Sequence, residues 1–307
     1  MSAAAQTPAQ APLLRARGAH IGPDWRSALF TAPFLLIFLG LLVYPLFWGM
    51  WISLQEYDMF DKSAIFAALK NYVALASDPI FLGSVRNTFL FVLLTVPAFV
   101  VIGLALALAL NRQGRTAAVL RAVYFGTSVL SVTIVTIIWK VMYLPGRGLI
   151  SVVLSLFGLA PIAFISSSSL ALPAVAITTV WWIIGLPMML FLAALQQIPA
   201  ELYEAAVLDN ASRWRTLWSI TLPSITRTFV VVTIYEIVAQ FQLFGQALLL
   251  TQGGPNNASR PIVLFIYETG FRDWNLGLAA AASEILFLLM ALAAMLQYFA
   301  TRRAEAR

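Results

Sequence analysis

Six long apolar runs occupy most of the 307 residues and constrain the fold more than any other feature of this sequence. They cover residues 28–54, 88–110, 117–143, 169–195, 224–250 and 276–299. At a rise of about 1.5 Å per helical residue, about 20 residues cross a hydrocarbon core of about 30 Å, so each run is long enough to span it. The sequence therefore predicts an all-α, polytopic membrane protein with about six transmembrane helices.

The composition agrees with this prediction and excludes several kinds of site. Hydrophobic residues make up 61% of the chain and charged residues 10%, so much apolar surface must face lipid. The basic residues stand at the ends of the apolar runs and not in a patch with aromatic residues, so no nucleic-acid partner is predicted. There is no cysteine, and the single histidine, His20, lies in the polar N-terminal region. We therefore predict neither a metal site nor a cofactor in this chain.

The ends of the chain are predicted to be short tails. Residues 1–25 are rich in Ala, Pro, Gln and Arg, which is typical of a flexible segment. A signal peptide is the alternative, but the first apolar run is longer than such peptides need and no cleavage site follows it. We predict one transmembrane domain over residues 26–300 and a short C-terminal tail over residues 301–307.

The distribution of basic residues predicts the orientation. With the N-terminus inside, the inner side holds twelve of the 19 Lys and Arg residues and the outer side holds six. The outer six are Lys62, Lys70, Arg86, Arg147, Arg260 and Arg272, while Lys140 lies near an outer helix end. An excess of basic residues in cytoplasmic loops sets membrane orientation, so both termini are predicted to be cytoplasmic.

The inner loop between the fourth and fifth runs, residues 196–223, carries signals for two short helices. Pro199 suits the first turn of a helix, and Glu201 and Glu204 follow where the helix dipole favours negative charge. The first helix is predicted over Pro199–Asp209. Asn210 can end it in a left-handed conformation.

A second helix in this loop is predicted over Arg213–Ile220, with Ser212 as its cap and Pro223 opening the fifth span. These residues alone leave two interpretations open. The loop is either a docking surface or an ordinary amphipathic connector whose Trp214 and Trp218 lie at the membrane interface.

The segment EAAVLDNASRWRTLWSITLP resembles the EAA loop of binding-protein-dependent ABC importer permeases. Its matching residues are Glu204, Ala205, Ala206, Asp209, Ala211, Ile220, Leu222 and Pro223. Asn210 stands where that family usually has glycine. The first apolar run, the segment KNYVALASDPIFLGSVRNT and the segment LLTQGGPNNAS extend the resemblance, over most of the chain, to the maltose-type sugar permeases.

This resemblance implies a type I ABC importer permease fold in a bacterial plasma (inner) membrane. It implies import of a sugar or a related polyol or oligosaccharide, coupled through Glu204, Ala205, Ala206, Asp209, Asn210 and Ala211 to a separate ATPase. Two ATPase subunits, which hold ATP and Mg, and an extracytoplasmic sugar-binding protein are the implied partners. Thr251–Pro255 resembles the larger maltose permease subunit, which implies a second, homologous permease chain. No GxxxxGK[ST] motif occurs, so this chain itself is predicted not to be an enzyme.

Two carboxylates inside apolar runs, Glu236 and Glu284, are the candidates for a substrate path, since an ionisable side chain at that depth costs about 2.5 to 3.5 kcal/mol. A single helix through the fifth run would present one polar face with aromatic residues beside it. Amides, a carboxylate and aromatic rings suit sugars. The predicted substrate path is Tyr235, Glu236, Gln240, Phe241, Gln242, Phe244, Gln246 and Glu284.

Two alternatives to the substrate path remain open from the sequence. The polar groups could instead hold neighbouring helices together, as they commonly do in membranes. The protein could also be a proton-coupled secondary sugar carrier that uses Glu236 or Glu284.

Overall fold

The computed structural model describes residues 25–58 and 63–305, and this part of the chain is almost entirely helical. The helices are α1 (Trp25–Phe38), α2 (Tyr44–Ser53), α3 (Lys70–Ser77), α4 (Pro79–Leu110), α5 (Arg115–Thr127), α6 (Val132–Met142), α7 (Leu149–Leu156), α8 (Ala171–Ile183), α9 (Gly185–Leu195), α10 (Ala200–Leu208), α11 (Arg213–Thr216), α12 (Leu222–Ser224), α13 (Thr226–Phe241), α14 (Ile262–Phe271) and α15 (Leu276–Glu305). Three π-helical turns interrupt or extend them, at Leu39–Val43, Leu217–Thr221 and Ala247–Thr251.

One antiparallel hairpin departs from the predicted all-α class, which is otherwise confirmed. Its strands are β1 (Gln55–Asp58) and β2 (Ser63–Phe66), with Gln55 opposite Phe66. The Lys70 ammonium pairs with the Glu56 carboxylate, and the buried Asn71 amide donates to the Ser53 and Gln55 carbonyls at 2.8 and 2.9 Å. These contacts anchor the hairpin to α3. Strands of four residues are too short to show an alternating pattern that sequence analysis could detect.

The six predicted runs are largely helical, but only three correspond to single long helices. Segments Leu29–Ser53, Pro79–Leu110 and Leu276–Phe299 are each long and apolar enough to cross a membrane. The runs at 117–143 and 169–195 are bent pairs, α5 with α6 at 98° and α8 with α9 at 46°. The third bent pair does not coincide with the run at 224–250, because it joins the helical segment Arg213–Ser224 of the predicted inner loop to α13 at 67°. The count of six spans therefore holds if each bent pair is one span.

Proline explains two of the π-helical turns. The turn Leu39–Val43 precedes Pro45, and the turn Leu217–Thr221 precedes Pro223, in each case by two residues. A proline inside a helix has no N–H to donate and its ring clashes with the carbonyl four residues earlier. The wider π turn removes that clash and lets the helix continue. Proline in these spans therefore changes helix geometry without ending the helix.

Side chains satisfy backbone groups that the bends release near the middle of the membrane helices. The Trp182 indole N–H donates to the Leu130 carbonyl at 3.0 Å, and the Thr127 hydroxyl lies 2.8 Å from the Trp182 carbonyl. Ser131 caps α6 by accepting from the Ile134 N–H at 3.4 Å. Lipid cannot supply such partners, so irregular backbone at this depth requires them from the protein.

The N-terminus of α4 lies nine residues before the start of the apolar run predicted at residue 88. Asp78 caps it, since its Oδ1 accepts from the Ile80 N–H at 2.7 Å, and Pro79 occupies the first helical position. The helix then packs along α9, and Gly103 permits close approach, because a Cβ there would lie 3.0 Å from Pro187 Cβ. This α4–α9 contact is the centre of the helix packing.

The two predicted tails lie at the limits of the described residues. Most of the predicted N-terminal tail, residues 1–24, lies outside the described residues, and Trp25 already begins α1. At the other end, α15 continues to Glu305, so the tail predicted from residue 301 is helical over five residues. Alanine, glutamate and arginine are all strong helix formers, which explains the continuation. Residues 25–48 form a unit of their own, whose side chains from Leu29 onwards are exposed or half-buried.

Candidate functional site

The loop between α9 and α13 forms a helix-turn-helix whose first helix, α10, ends in a regular Schellman motif. Asn210 has φ +49°, the left-handed conformation predicted for it. The Ala211 N–H donates to the Ala206 carbonyl at 2.9 Å, and the Asn210 N–H donates to the Val207 carbonyl at 3.0 Å. These two bonds satisfy carbonyls that the end of the helix would leave free. Asparagine therefore replaces the family's usual glycine without loss of the turn.

The second helix of the loop begins at the predicted cap, since Ser212 Oγ accepts from the Arg215 N–H at 3.3 Å. The Tyr203 hydroxyl lies 3.2 Å from Thr221 Oγ1 and joins the two helices. The predicted end at Ile220 is wrong, because the helical segment passes through the π turn and Pro223 as far as Ser224. The first helix, predicted over Pro199–Asp209, is one residue shorter at each end, with Pro199 and Asp209 as its caps.

The face of α10 that carries Glu204 is open and apolar. Val207 is 74% exposed and Leu208 is 83% exposed, and both line a surface concavity of about 470 Å³ together with Tyr203 and Glu204. Ala205 and Asp209 are exposed as well, whereas Ala206 is buried. Adjacent exposed apolar residues beside a charged group are typical of an interaction site.

The predicted polar face of the fifth span is only partly formed, because α13 ends at Phe241 and not at residue 250. Gln242 caps the helix, and the chain then passes close to α6, where a Cβ on Gly245 would lie 3.0 Å from Val132 Cγ2. Gln242 and Gln246 therefore do not continue the helical face that holds Glu236. The prediction of one uninterrupted helical face is wrong at this point.

Glu236 and Gln240 lie together in the interior of the subunit, each 3% exposed. Gln240 Nε2 donates to Glu236 Oε2 at 2.9 Å. Gln240 lies one turn further along α13, and in the described chain it is the one hydrogen-bond partner of this carboxylate. Within the described residues, the Glu236 side chain therefore makes no hydrogen bond to a neighbouring helix.

The remaining predicted path residues are dispersed. Phe241 is buried one residue beyond Gln240, and its ring meets the Phe89 ring edge to face at 5.3 Å. Tyr235 is 49% exposed, and Phe244 packs on the Tyr267 ring at 5.1 Å. Glu284 is buried on α15 beside Gly49, where a Cβ would lie 3.7 Å from its Oε1. The structure brings Glu236 and Gln240 together and leaves the other predicted path residues apart.

Sequence analysis did not predict the hydrogen bonds and the ion pair that hold the loop at residues 251–261. Asn87 Nδ2 donates to the Asn257 and Arg260 carbonyls at 2.8 and 3.0 Å, and Thr88 Oγ1 accepts from the Ile262 N–H at 2.9 Å. The Arg260 guanidinium pairs with Glu268 at 2.6 Å. The signal that could have located this loop was the polar Asn-Thr pair at the start of an apolar run.

Comparison with known proteins places the chain in a family. A family model described as binding-protein-dependent transport system inner membrane component matches residues 64–305. The probable ABC transporter permease protein YurN of Bacillus subtilis is 31% identical over 283 residues, which are 90% of this chain and 97% of that protein. The trehalose/maltose transport system permease protein MalF of Thermococcus litoralis is 32% identical, over 85% of this chain and 88% of that protein.

A third relative is the sn-glycerol-3-phosphate transport system permease protein UgpA of Salmonella choleraesuis, which is 30% identical over 89% of this chain and 93% of that protein. The crystal structure of a bacterial alginate ABC transporter, in complex with an alginate pentasaccharide-bound periplasmic protein, aligns with a TM-score of 0.80. That match covers 92% of this chain and 95% of the solved chain at 22% identity, which confirms the predicted permease fold. The chain therefore belongs to the family of binding-protein-dependent transport system inner membrane components, the multi-pass permease subunits of ABC importers.

Proposed function

We propose that this chain is one of two homologous permease subunits of an ATP-driven importer that moves a sugar, or a related polyol or oligosaccharide, inward across a bacterial plasma membrane. The helix-turn-helix at residues 199–224 is the observation that carries this proposal. Its exposed face combines Glu204 with Val207 and Leu208, and its left-handed turn is fixed by backbone bonds. A rigid surface of this kind suits docking to a separate protein.

The partner at this surface is the ATPase. Two ATPase subunits would hold ATP and Mg and hydrolyse ATP, while this chain would transmit their closure through α10 into α9 and α13, between which the loop lies. The small, exposed side chain of Ala205 allows close approach to a groove, and Glu204 can pair with a basic side chain there, whereas Ala206 is buried. The excess of basic residues on the same side as the loop supports a cytoplasmic position for it and for both termini.

A sugar or a related compound is proposed as the substrate because the names of two relatives specify such compounds. These are trehalose and maltose for one relative and sn-glycerol-3-phosphate for the other. An extracytoplasmic binding protein would deliver it to the outer side, and a second permease chain would complete the path. Within this chain we assign the Glu236–Gln240 pair to that path. In the described chain, the hydrogen bond of this buried carboxylate stays within its own helix. Glu236 therefore carries the free-energy cost of membrane insertion without a hydrogen bond that would stabilise the packing of helices.

The variant Glu236→Gln tests this assignment. The amide is isosteric and can still accept from Gln240, so the melting temperature in detergent should be equal to or higher than that of the wild type. A hydrogen bond from a sugar hydroxyl to a charged acceptor is stronger than one to a neutral acceptor by about 1 kcal/mol, so half-maximal uptake should need about fivefold more sugar. Uptake and melting temperature should be measured together, with Glu284→Gln as the comparison. Unchanged uptake would show that the Glu236 carboxylate is not in the path.

Purification of the tagged chain from its host in mild detergent tests the proposed assembly directly. An ATPase and a second permease should copurify, and a sugar-loaded binding protein should stimulate ATP hydrolysis by the complex severalfold. Mass spectrometry and an ATPase assay provide the two readouts. A chain that purifies alone and transports sugar in liposomes under a proton gradient would contradict the proposal.

A further inference from the structure

A long groove runs between α4 and α8 on the surface of the subunit. Its outer part is a cavity of about 360 Å³ and its inner part a cavity of about 570 Å³. Leu94 and Pro173 line both cavities, so the groove is continuous. On α4 the lining residues recur every four positions from residue 86 to residue 106, which is one ridge of the helix.

The chemistry of the groove changes sharply along its length. Its outer end holds the polar residues Arg86, Asn87, Ser168 and Ser169. Below them the walls are aliphatic, with Tyr124 and Trp181 as the two lining residues that carry polar side-chain atoms. A sugar needs hydrogen-bond partners along its path, and these walls offer almost none. The groove instead has one charged end and an apolar body.

The charged end lies at the depth of lipid headgroups. A hydrocarbon core of about 30 Å takes about 20 helical residues, so counting back from Leu110 at the inner end of α4 places Leu90 at the outer edge of the core. Arg86 is then about 6 Å further out, within the headgroup layer. The leaflet assignment rests on the proposed orientation.

Arg86 has no partner for its charge in the part of the chain that the structure describes. Its side chain is exposed, and within residues 25–58 and 63–305 it forms neither an ion pair nor a hydrogen bond. The nearby arginines of the outer side, Arg260 and Arg272, both pair with Glu268. An unpaired guanidinium above an apolar groove is complementary to a phosphate that carries acyl chains.

We propose that this groove binds one phospholipid of the outer leaflet. The guanidinium of Arg86 holds the phosphate, and the hydroxyls of Ser168 and Ser169 are placed to donate to the same headgroup. One acyl chain lies against Leu90, Leu94 and Ala98, which together cover about 12 Å of the roughly 15 Å depth of one leaflet's hydrocarbon. The lipid fills the gap between α4 and α8, the first helix of a bent pair, and so supports the bend from the membrane side.

The first test measures lipid retained by the intact importer. The complex is purified in mild detergent and exchanged into bilayer discs of phosphatidylglycerol and phosphatidylethanolamine. It is then released from the discs, and the lipids that stay bound to it are counted by native mass spectrometry. We expect Arg86→Gln to lower the apparent affinity for the last retained lipid about tenfold, since a charge-assisted bond to phosphate is lost. Arg147→Gln removes an exposed, unpaired arginine elsewhere on the outer side and should leave retention unchanged. Equal retention in wild type and Arg86→Gln would overturn the proposal.

The second test identifies what fills the groove. Since the chain has no cysteine, a single nitroxide can be attached at Ala98→Cys, with Leu94→Cys as a second site in the groove. A lipid-filled groove gives high oxygen and low nickel-chelate accessibility, as at the exposed control Leu288→Cys. High nickel-chelate accessibility would mean a water-filled path, and low accessibility to both, as at the buried control Val100→Cys, would mean that another protein covers the groove. Either of these results would overturn the proposal.

Discussion

Glu204→Lys is expected to abolish uptake while the chain remains folded and inserted. Glu204 is exposed near the middle of α10, and in the described part of the chain it has neither a hydrogen bond nor an ion pair to lose. Lysine is as good a helix former as glutamate, so α10 should persist. If Glu204 pairs with a basic residue of the ATPase, reversal of its charge turns attraction into repulsion and costs about 2 to 5 kcal/mol at the interface.

The readouts for this variant are uptake in cells and the amount of ATPase that copurifies with the tagged permease. The loss of docking should reduce copurified ATPase about 30-fold or more, while the melting temperature of the permease stays within about 2 °C of the wild type. Asp273→Lys makes the same charge change at an exposed carboxylate beyond α14, on the opposite side of the membrane in the proposed orientation, and should retain the ATPase. Normal uptake by Glu204→Lys with normal ATPase recovery would refute the coupling role.

Local signals in the sequence predict the loop at residues 196–223 well. The proline at position 199, the left-handed asparagine at 210 and the serine cap at 212 each act within one helical turn, so neighbouring elements cannot override them. The error at the end of the second helix has a different origin. Pro223 suggests a helix boundary, but a π turn ahead of it accommodates the ring and lets the helix continue.

The number of spans was predictable, but their bends were not. Hydropathy depends on how many apolar residues occur in succession, and a run such as 117–143 is equally apolar whether it is straight or bent by 98°. The bend is stable because Trp182 and Thr127, on two different spans, bond backbone groups at the break. Hydrogen bonds between residues that are distant in sequence produce no periodic pattern in the sequence.

The substrate path shows the same limit of sequence reasoning. A helical projection predicted one polar face from Tyr235 to Gln246, but α13 ends at Phe241 where the chain meets α6. Only the part within one turn, Glu236 with Gln240, survives. The groove between α4 and α8 was not predicted at all, because it exists only once two distant helices lie side by side.

Gly185→Ala is expected to destabilise the folded permease strongly. Gly185 is the first residue of α9, at the bend after α8, and the backbone of α5 lies directly against it. A Cβ at this position would lie 2.6 Å from the Phe125 Cα, and the atoms it meets are backbone and cannot rotate away. The two helices must separate, which also strains the bonds of Thr127 and Trp182 nearby. Overpacking of this kind costs about 2 to 3 kcal/mol or more, which corresponds to a fall in melting temperature of about 5 to 10 °C.

Gly126→Ala is the matched control, since Gly126 lies on the same α5 next to the contact but a Cβ there would meet no atom within 4 Å. Alanine in an open helical position gains about 0.5 to 1 kcal/mol over glycine, so this variant should melt at the same or a slightly higher temperature. The two substitutions add the same methyl group to neighbouring helices and should shift the melting temperature in opposite directions. A similar small rise in the melting temperature of both variants would mean that α5 and α9 are further apart than this packing requires. Side-chain hydrogen bonds and lipid alone would then stabilise the bend between α8 and α9.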